Sequence, residues 1–138
     1  MDGPMSSGMQ HFHIHLDVVA GGRHLTVPAN LGIDTATGAM SGLHTHDTSG
    51  VVHIEADQDQ QYILGQVFNE WNVKLNRSQV GSLHAGDGRT ISAYVNGRKV
   101  TGNPAAIELK AHQEIALVFG TPGHKVDVPT RYDFAAGE

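Results

Sequence analysis

Residues 11–19 read HFHIHLDVV, and the alternation in that stretch decides the fold. In an extended strand successive side chains point to opposite faces, so Phe12, Ile14, Leu16 and Val18 share one face and His11, His13, His15 and Asp17 the other. The apolar face calls for a core to cover it. The opposite face sets three imidazoles in a row, and a solvated strand has no need of that residue in particular.

Working outward, VVAGGRHLTV contains Gly21-Gly22, a dipeptide that accepts the positive φ angles of a tight hairpin turn, so residues 11–28 read as a hairpin. Residues 28–42, PANLGIDTATGAMSG, carry no sustained period and read as a long loop, a feature often functional in compact domains. VVHIEA, 51–56, alternates again, with His53 and Glu55 on one face and Val52 and Ile54 on the other. Ile63, Leu64, Val67, Phe68 and Trp71 recur at helical spacing and predict a helix over about 60–73, with Asp57 and Gln60 as its cap. RTISAYVNGRKV, 89–100, reads as a hairpin around Asn96-Gly97, and AIELKAHQEIALVFG, 106–120, supplies one or two closing strands. AGDGR, 85–89, is a turn.

The order hairpin, strand, helix, hairpin, strand predicts an α+β fold: a single sheet of five to six strands with one helix packed on one face, in a β-grasp-like plan. Phe12, Ile14, Leu16 and Val18 should then point at Ile63, Val67, Phe68 and Trp71, leaving the histidines on the open side. At 138 residues the chain has the size of one domain. That domain is expected over 11–120, after a flexible N-terminal segment, 1–10, and before a C-terminal tail, 121–138, lying on or near the surface.

Composition narrows the chemistry. The absence of cysteine excludes disulfides, thiolate zinc sites, iron–sulfur clusters and cysteine nucleophiles. A net charge of -5 with nine Lys and Arg offers no footprint for nucleic acid or an anionic membrane. No apolar run approaches the roughly 20 residues of a membrane span, and the first ten residues lack a signal peptide's pattern. Membrane insertion is therefore not expected, while oligomeric state, a homo-oligomer included, stays open. G-x-S-x-G, Walker and H-E-x-x-H motifs are all missing.

Histidine is the unusual count: ten in all, seven of them between His11 and His53. Neighbours two apart on a strand lie about 6.6–7 Å apart, so an H-x-H pair can bring two ring nitrogens to one ion. Three in a row span too far for one metal, which points to His13 with His15, ahead of His11. LHTHD, 43–47, adds His44 and His46 followed by Asp47, and His53 presents a further imidazole. A set rich in imidazole and free of thiolate suits transition metals and not calcium or magnesium. Asp47 is either a ligand or ligand-orienting group, or the first residue of an Asx-turn in DTSG. Glu55 is either a general base beside a metal-bound water or a solvated strand residue. His24, His84, His112 and His124 read as surface residues, and Met5 and Met9 as part of the flexible N-terminal segment.

At HFHIHLDVV, LTVPANLGID, LHTHDTSGVVHIE, YILGQVFNEW and YVNGRKVTGNP the chain resembles a family of uncharacterised bacterial and archaeal His-rich domains associated with exported proteins. The resemblance spans roughly residues 11–120. His11, His13, His15, His44, His46, Asp47, His53, Glu55 and Trp71 fall on the family's pattern, while Val67-Phe68 stands where the family often has two Phe. The resemblance implies an extracytoplasmic location and the same site, without naming a reaction. Together these readings predict one copper or zinc ion held by His13, His15, His44 and His46, with His53 as a further or supporting ligand. The alternative is a metal-dependent enzyme with three histidine ligands, an open position, and Asp47 or Glu55 as catalytic carboxylate.

Overall fold

A computed structural model of the chain describes residues 10–33, 36–37, 42–56, 61–86, 88–121, 128–135 and 138. Met5, Met9, Asp57, Gln60 and His124 lie outside the described residues, as does nearly all of the segment 1–10. The elements run β1 (Gln10–Ala20), β2 (Arg23–Leu25), β3 (Leu43–His44), β4 (Val51–Ala56), α1 (Leu64–Trp71), β5 (Leu75–Asn76), β6 (Gln79–Val80), β7 (Leu83–His84), β8 (Thr90–Val95), β9 (Arg98–Val100) and β10 (Glu114–Gly120). A 3₁₀ turn, Pro104–Ala106, precedes β10.

The expected single sheet is two. A seven-stranded mixed sheet runs β3-β4-β1-β10-β8-β9 with β2 added to β1, and β5-β6-β7 form a separate three-stranded sheet. The chain segment between 75 and 84 is short and mostly polar, so it carries no alternation long enough to announce these two-residue strands. At the centre of the large sheet β1 pairs parallel with β10, while its pairings with β2 and β4 are antiparallel.

Both hairpins form as their turn residues dictate. Gly21 and Gly22 take φ 59° and 83°, the doubly positive conformation of a two-residue turn, and Ala20 pairs with Arg23. Asn96 and Gly97 connect Val95 to Arg98 in the same manner. The helix is shorter than its apolar spacing suggests. Ile63 is the N-cap; it has no side-chain oxygen to offer, so only the reciprocal half of a capping box forms, with Gln66 Oε1 accepting from Ile63 N–H at 2.7 Å. Asn72 in the left-handed region, φ 59°, ends it.

The core lies between α1 and one face of the sheet. Ile14, Leu16 and Val18 of β1, Val52 and Ile54 of β4, and Ile115 and Leu117 of β10 are buried in one cluster with Leu64, Val67 and Phe68. Two expected contacts shift. Ile63 is 38% exposed because it caps the helix and does not face the sheet, and Trp71 is only half-buried, packed against Phe68 at 5.3 Å between ring centres. The histidine face is not open either: His13 and His15 are buried, and part of the C-terminal segment lies against them, with Tyr132 stacked on His15 at 3.7 Å.

Phe68→Ala should destabilise the fold by about 3–5 kcal/mol, the range for a fully buried aromatic, and Trp71→Ala by less, since part of its side chain is already in water. Urea denaturation checks the order. A larger loss for Trp71→Ala would mean that α1 is rotated about its axis relative to this packing.

Candidate metal centre

Strand register builds the site. His53 of β4 stands opposite His13 of β1 on one side and opposite His44 of β3 on the other, so three adjacent strands carry three imidazoles in one row. His11 lies two residues from His13 on the same face, and His46 follows His44 as the chain leaves β3. His53 is the hub: its ring centre is 4.5 Å from that of His13, 4.6 Å from His46 and 5.3 Å from His44. His11 stands 5.0 Å from His13, and His44 5.0 Å from His46.

These five rings resolve into two groups of three. In His11, His13 and His53, and again in His44, His46 and His53, one potential ligand atom from each residue lies within 4.8 Å of the others. Tetrahedral bonds of about 2.0–2.1 Å require a somewhat tighter approach, which rotation of exposed His11 and His46 can supply. The loop before β3 is pinned in place by Thr45: its hydroxyl donates to Pro28 O at 2.7 Å and accepts from Leu31 N–H at 3.1 Å. Thr45 is buried and its backbone also bonds to Asn30 and Leu31, at 3.0 Å each, which fixes the H-x-H pair on either side of it.

Electrostatics keeps the hub neutral. Burial, together with the neighbouring His13, His46 and His44, lowers the His53 pKa to about 4, against the opposing Glu138 carboxylate. Burial and then His11 lower that of His13 as well. Neutral imidazole is the form that coordinates metal.

The two candidate carboxylates differ. Asp47 Oδ1 accepts from Ser49 Oγ at 2.6 Å and from Ser49 N–H at 3.1 Å, an Asx-turn on the surface. Those Ser49 bonds, the hydroxyl first, hold its carboxyl below the usual range. Glu55 Oε1 lies 3.3 Å from His44 Nε2, close enough to orient that ring.

His15 goes elsewhere. Its Nδ1 meets Glu114 Oε1 at 2.6 Å and its Nε2 meets the Ser49 carbonyl oxygen at 2.7 Å. The Ser49 carbonyl and an ionised Glu114 both accept, so both ring nitrogens carry protons and His15 is an imidazolium in the metal-free chain, although with Asp17 and Glu114 it forms a third group whose ligand atoms lie within 4.8 Å of one another. Burial works against the charge, but hydrogen bonds to Asp17, Glu114 and Ser49 and the Glu114 charge outweigh it and push the pKa up to about 10. Glu114, 1% exposed, is itself raised to about 7 by burial. The expected pairing of His13 with His15 is thus replaced by His13 with His53. Gly50 permits this arrangement: at φ 92° a Cβ there would stand 2.6 Å from Leu16 O and 3.0 Å from His15 Nε2.

Sequence reasoning did not single out Glu114, Tyr132 or Glu138. Glu114 enters because β10 pairs parallel with β1 and sets it beside His15. Tyr132 and Phe134 pack together at 4.9 Å, and His112, an exposed residue as expected, donates through Nε2 to Glu138 O at 2.7 Å. No local pattern in residues 128–138 marks them as a cover for the histidine face. No family model matches the chain, and neither a curated protein nor a solved structure matches it. The site therefore rests on its own geometry.

The two clusters predict opposite pH limbs for the metal-free protein. His15, raised from 6.5 to about 10, contributes stability that is complete below about pH 6.5 and is lost as pH rises toward 10. His53, lowered from 6.5 to about 4, contributes stability present above 6.5 and lost as pH falls toward 4. Urea unfolding as a function of pH should show both limbs, and His15→Gln should flatten the alkaline one. An alkaline limb unchanged in His15→Gln would show that His15 carries no charge in the fold.

Proposed function

We propose that the chain is a transition-metal-binding domain that takes copper or zinc on the imidazoles of one sheet face, with His53 in the ligand set. The observation that supports this reading is that three neighbouring strands deliver imidazoles whose ligand atoms approach within 4.8 Å. Nitrogen donors without thiolate suit Cu(II) and Zn(II) better than the oxygen-seeking cations. Holding His13 and His53 partly buried beside other imidazoles works against their protonation and leaves their lone pairs available, a costly arrangement that a bound cation would relieve. The resemblance of its motifs to those of exported domains supports an extracytoplasmic location. Among the described residues no helix is long and apolar enough to cross a membrane.

A second reading follows from the count of donors. Three imidazoles fill three positions of a tetrahedral ion and leave one for water or substrate, the arrangement of catalytic zinc sites. Glu55, 3.3 Å from His44 Nε2 and exposed to solvent, is then the carboxylate placed to act. Asp47 is committed to its turn.

Untagged protein equilibrated with Zn(II) or Cu(II) and dialysed should retain at least one ion per chain by element analysis. His13→Ala combined with His46→Ala removes one member from each group of three and should lower affinity at least 100-fold, with circular dichroism unchanged. Undiminished affinity in that folded double variant would sink the assignment.

Glu55→Gln separates binding from catalysis. A ligand-orienting carboxylate predicts metal affinity about 10–100-fold weaker, whereas a catalytic base predicts unchanged affinity and slower hydratase or hydrolase turnover. Neither effect would leave Glu55 as a solvated strand residue.

A further inference from the structure

The two groups of three histidines share one member, and that sharing decides how many ions the face can hold. His13 and His44 flank His53 from adjacent strands on opposite sides, in the order β3-β4-β1. At the usual strand spacing their backbones stand about 9.5 Å apart. The ring of His53 fills the space between. Its plane lies at 79° to that of His13, at 77° to that of His46 and nearly parallel, at 4°, to that of His44. The remaining four histidines divide evenly, one H-x-H pair to each side.

An imidazole has two ring nitrogens directed to different edges, so it can serve one ion through each. We propose, resting on the metal-binding reading above, that His53 bridges two transition-metal ions, one held with His11 and His13 and the other with His44 and His46. The first ion takes the lone pair of a neutral His53. The second takes the other nitrogen, whose proton is released to solvent, leaving an imidazolate between two cations. No electron moves in this step, and one proton is released from His53 as the pair is completed. Negative charge to offset the ions is at hand: Glu55 beside His44, and Glu138, whose carboxylate acts on both His13 and His53. A single ion, the expectation from the two H-x-H spacings, would instead have to draw both pairs to one side of the His53 ring.

Titration of the full, untagged chain with Cu(II), followed by electron paramagnetic resonance, tests the bridge without any variant. The expected result is binding of two Cu(II) per chain. The signal should grow to one equivalent and then fall, by the second, to less than half of that maximum as the two spins couple through the imidazolate. His11→Ala with His13→Ala should bind one Cu(II) with full signal, and so should His44→Ala with His46→Ala. Two ions whose signals simply add would overturn the bridge. One ion in the wild-type chain would show the two groups to be alternatives for a single metal, overturning the bridge while leaving the metal-binding reading intact. No binding at all would overturn both.

Discussion

The buried contact between His15 and Glu114 is the constraint on which the arrangement of the sheet turns. His15 is the residue at which β1 exchanges neighbours: it is the last to pair with β4, opposite Val51, and the first to pair with β10, opposite Glu114. One imidazolium therefore joins β1 side chain to side chain with β10, and through Ser49 O with the turn that enters β4. Tyr132 closes over it with ring planes 5° from parallel. Removing one partner of such a pair strands a charge in the interior, a loss of about 3–5 kcal/mol in comparable cases, whereas the intact pair adds less than that because both ions were desolvated to form it. Its contribution is more to register than to net stability. With His15 fixed opposite Glu114, every other residue of β1 has its position across the sheet assigned.

The same contact divides the histidine face into two regions of opposite character. Around His15 the partners are carboxylates and a carbonyl, and the ring is held charged. A few ångströms along β1, His13 meets imidazoles on either side, and protonation of His13 and of His53 is opposed by burial and by their neighbours. One end of the face therefore offers imidazole lone pairs, and the other an already satisfied cation. Specificity of position thus comes from the surrounding strands, since both regions are built from the same residue type spaced two apart.

That division also explains why much of the fold was legible in the sequence and part of the site was not. The alternation in β1 and in VVHIEA, and the turn dipeptides Gly21-Gly22 and Asn96-Gly97, are local statements about backbone geometry, and the structure keeps them. The helix was legible from Leu64, Val67 and Phe68, but its first turn was not, because Ile63 fits the apolar spacing and yet serves as a cap. The three short strands between 75 and 84, and the two-residue β3, are held by pairing and not by any pattern of their own.

What the sequence by itself determined is which side chains share a face: a period of two places His11, His13 and His15 together, and His53 with Glu55, whatever the rest of the chain does. It could not decide which of them meet. His15 was the expected partner of His13, but besides Asp17 its own partners Ser49 and Glu114 lie 34 and 99 positions away, and they reach it only because β10 runs parallel to β1 and Gly50 leaves room for the ring. His53 became the hub because β4 lies between β1 and β3, with His13 and His44 at the same level of the register. A ligand set depends on distances across strands. Those distances are fixed by pairing and burial over the whole chain, which no spacing within a single segment encodes.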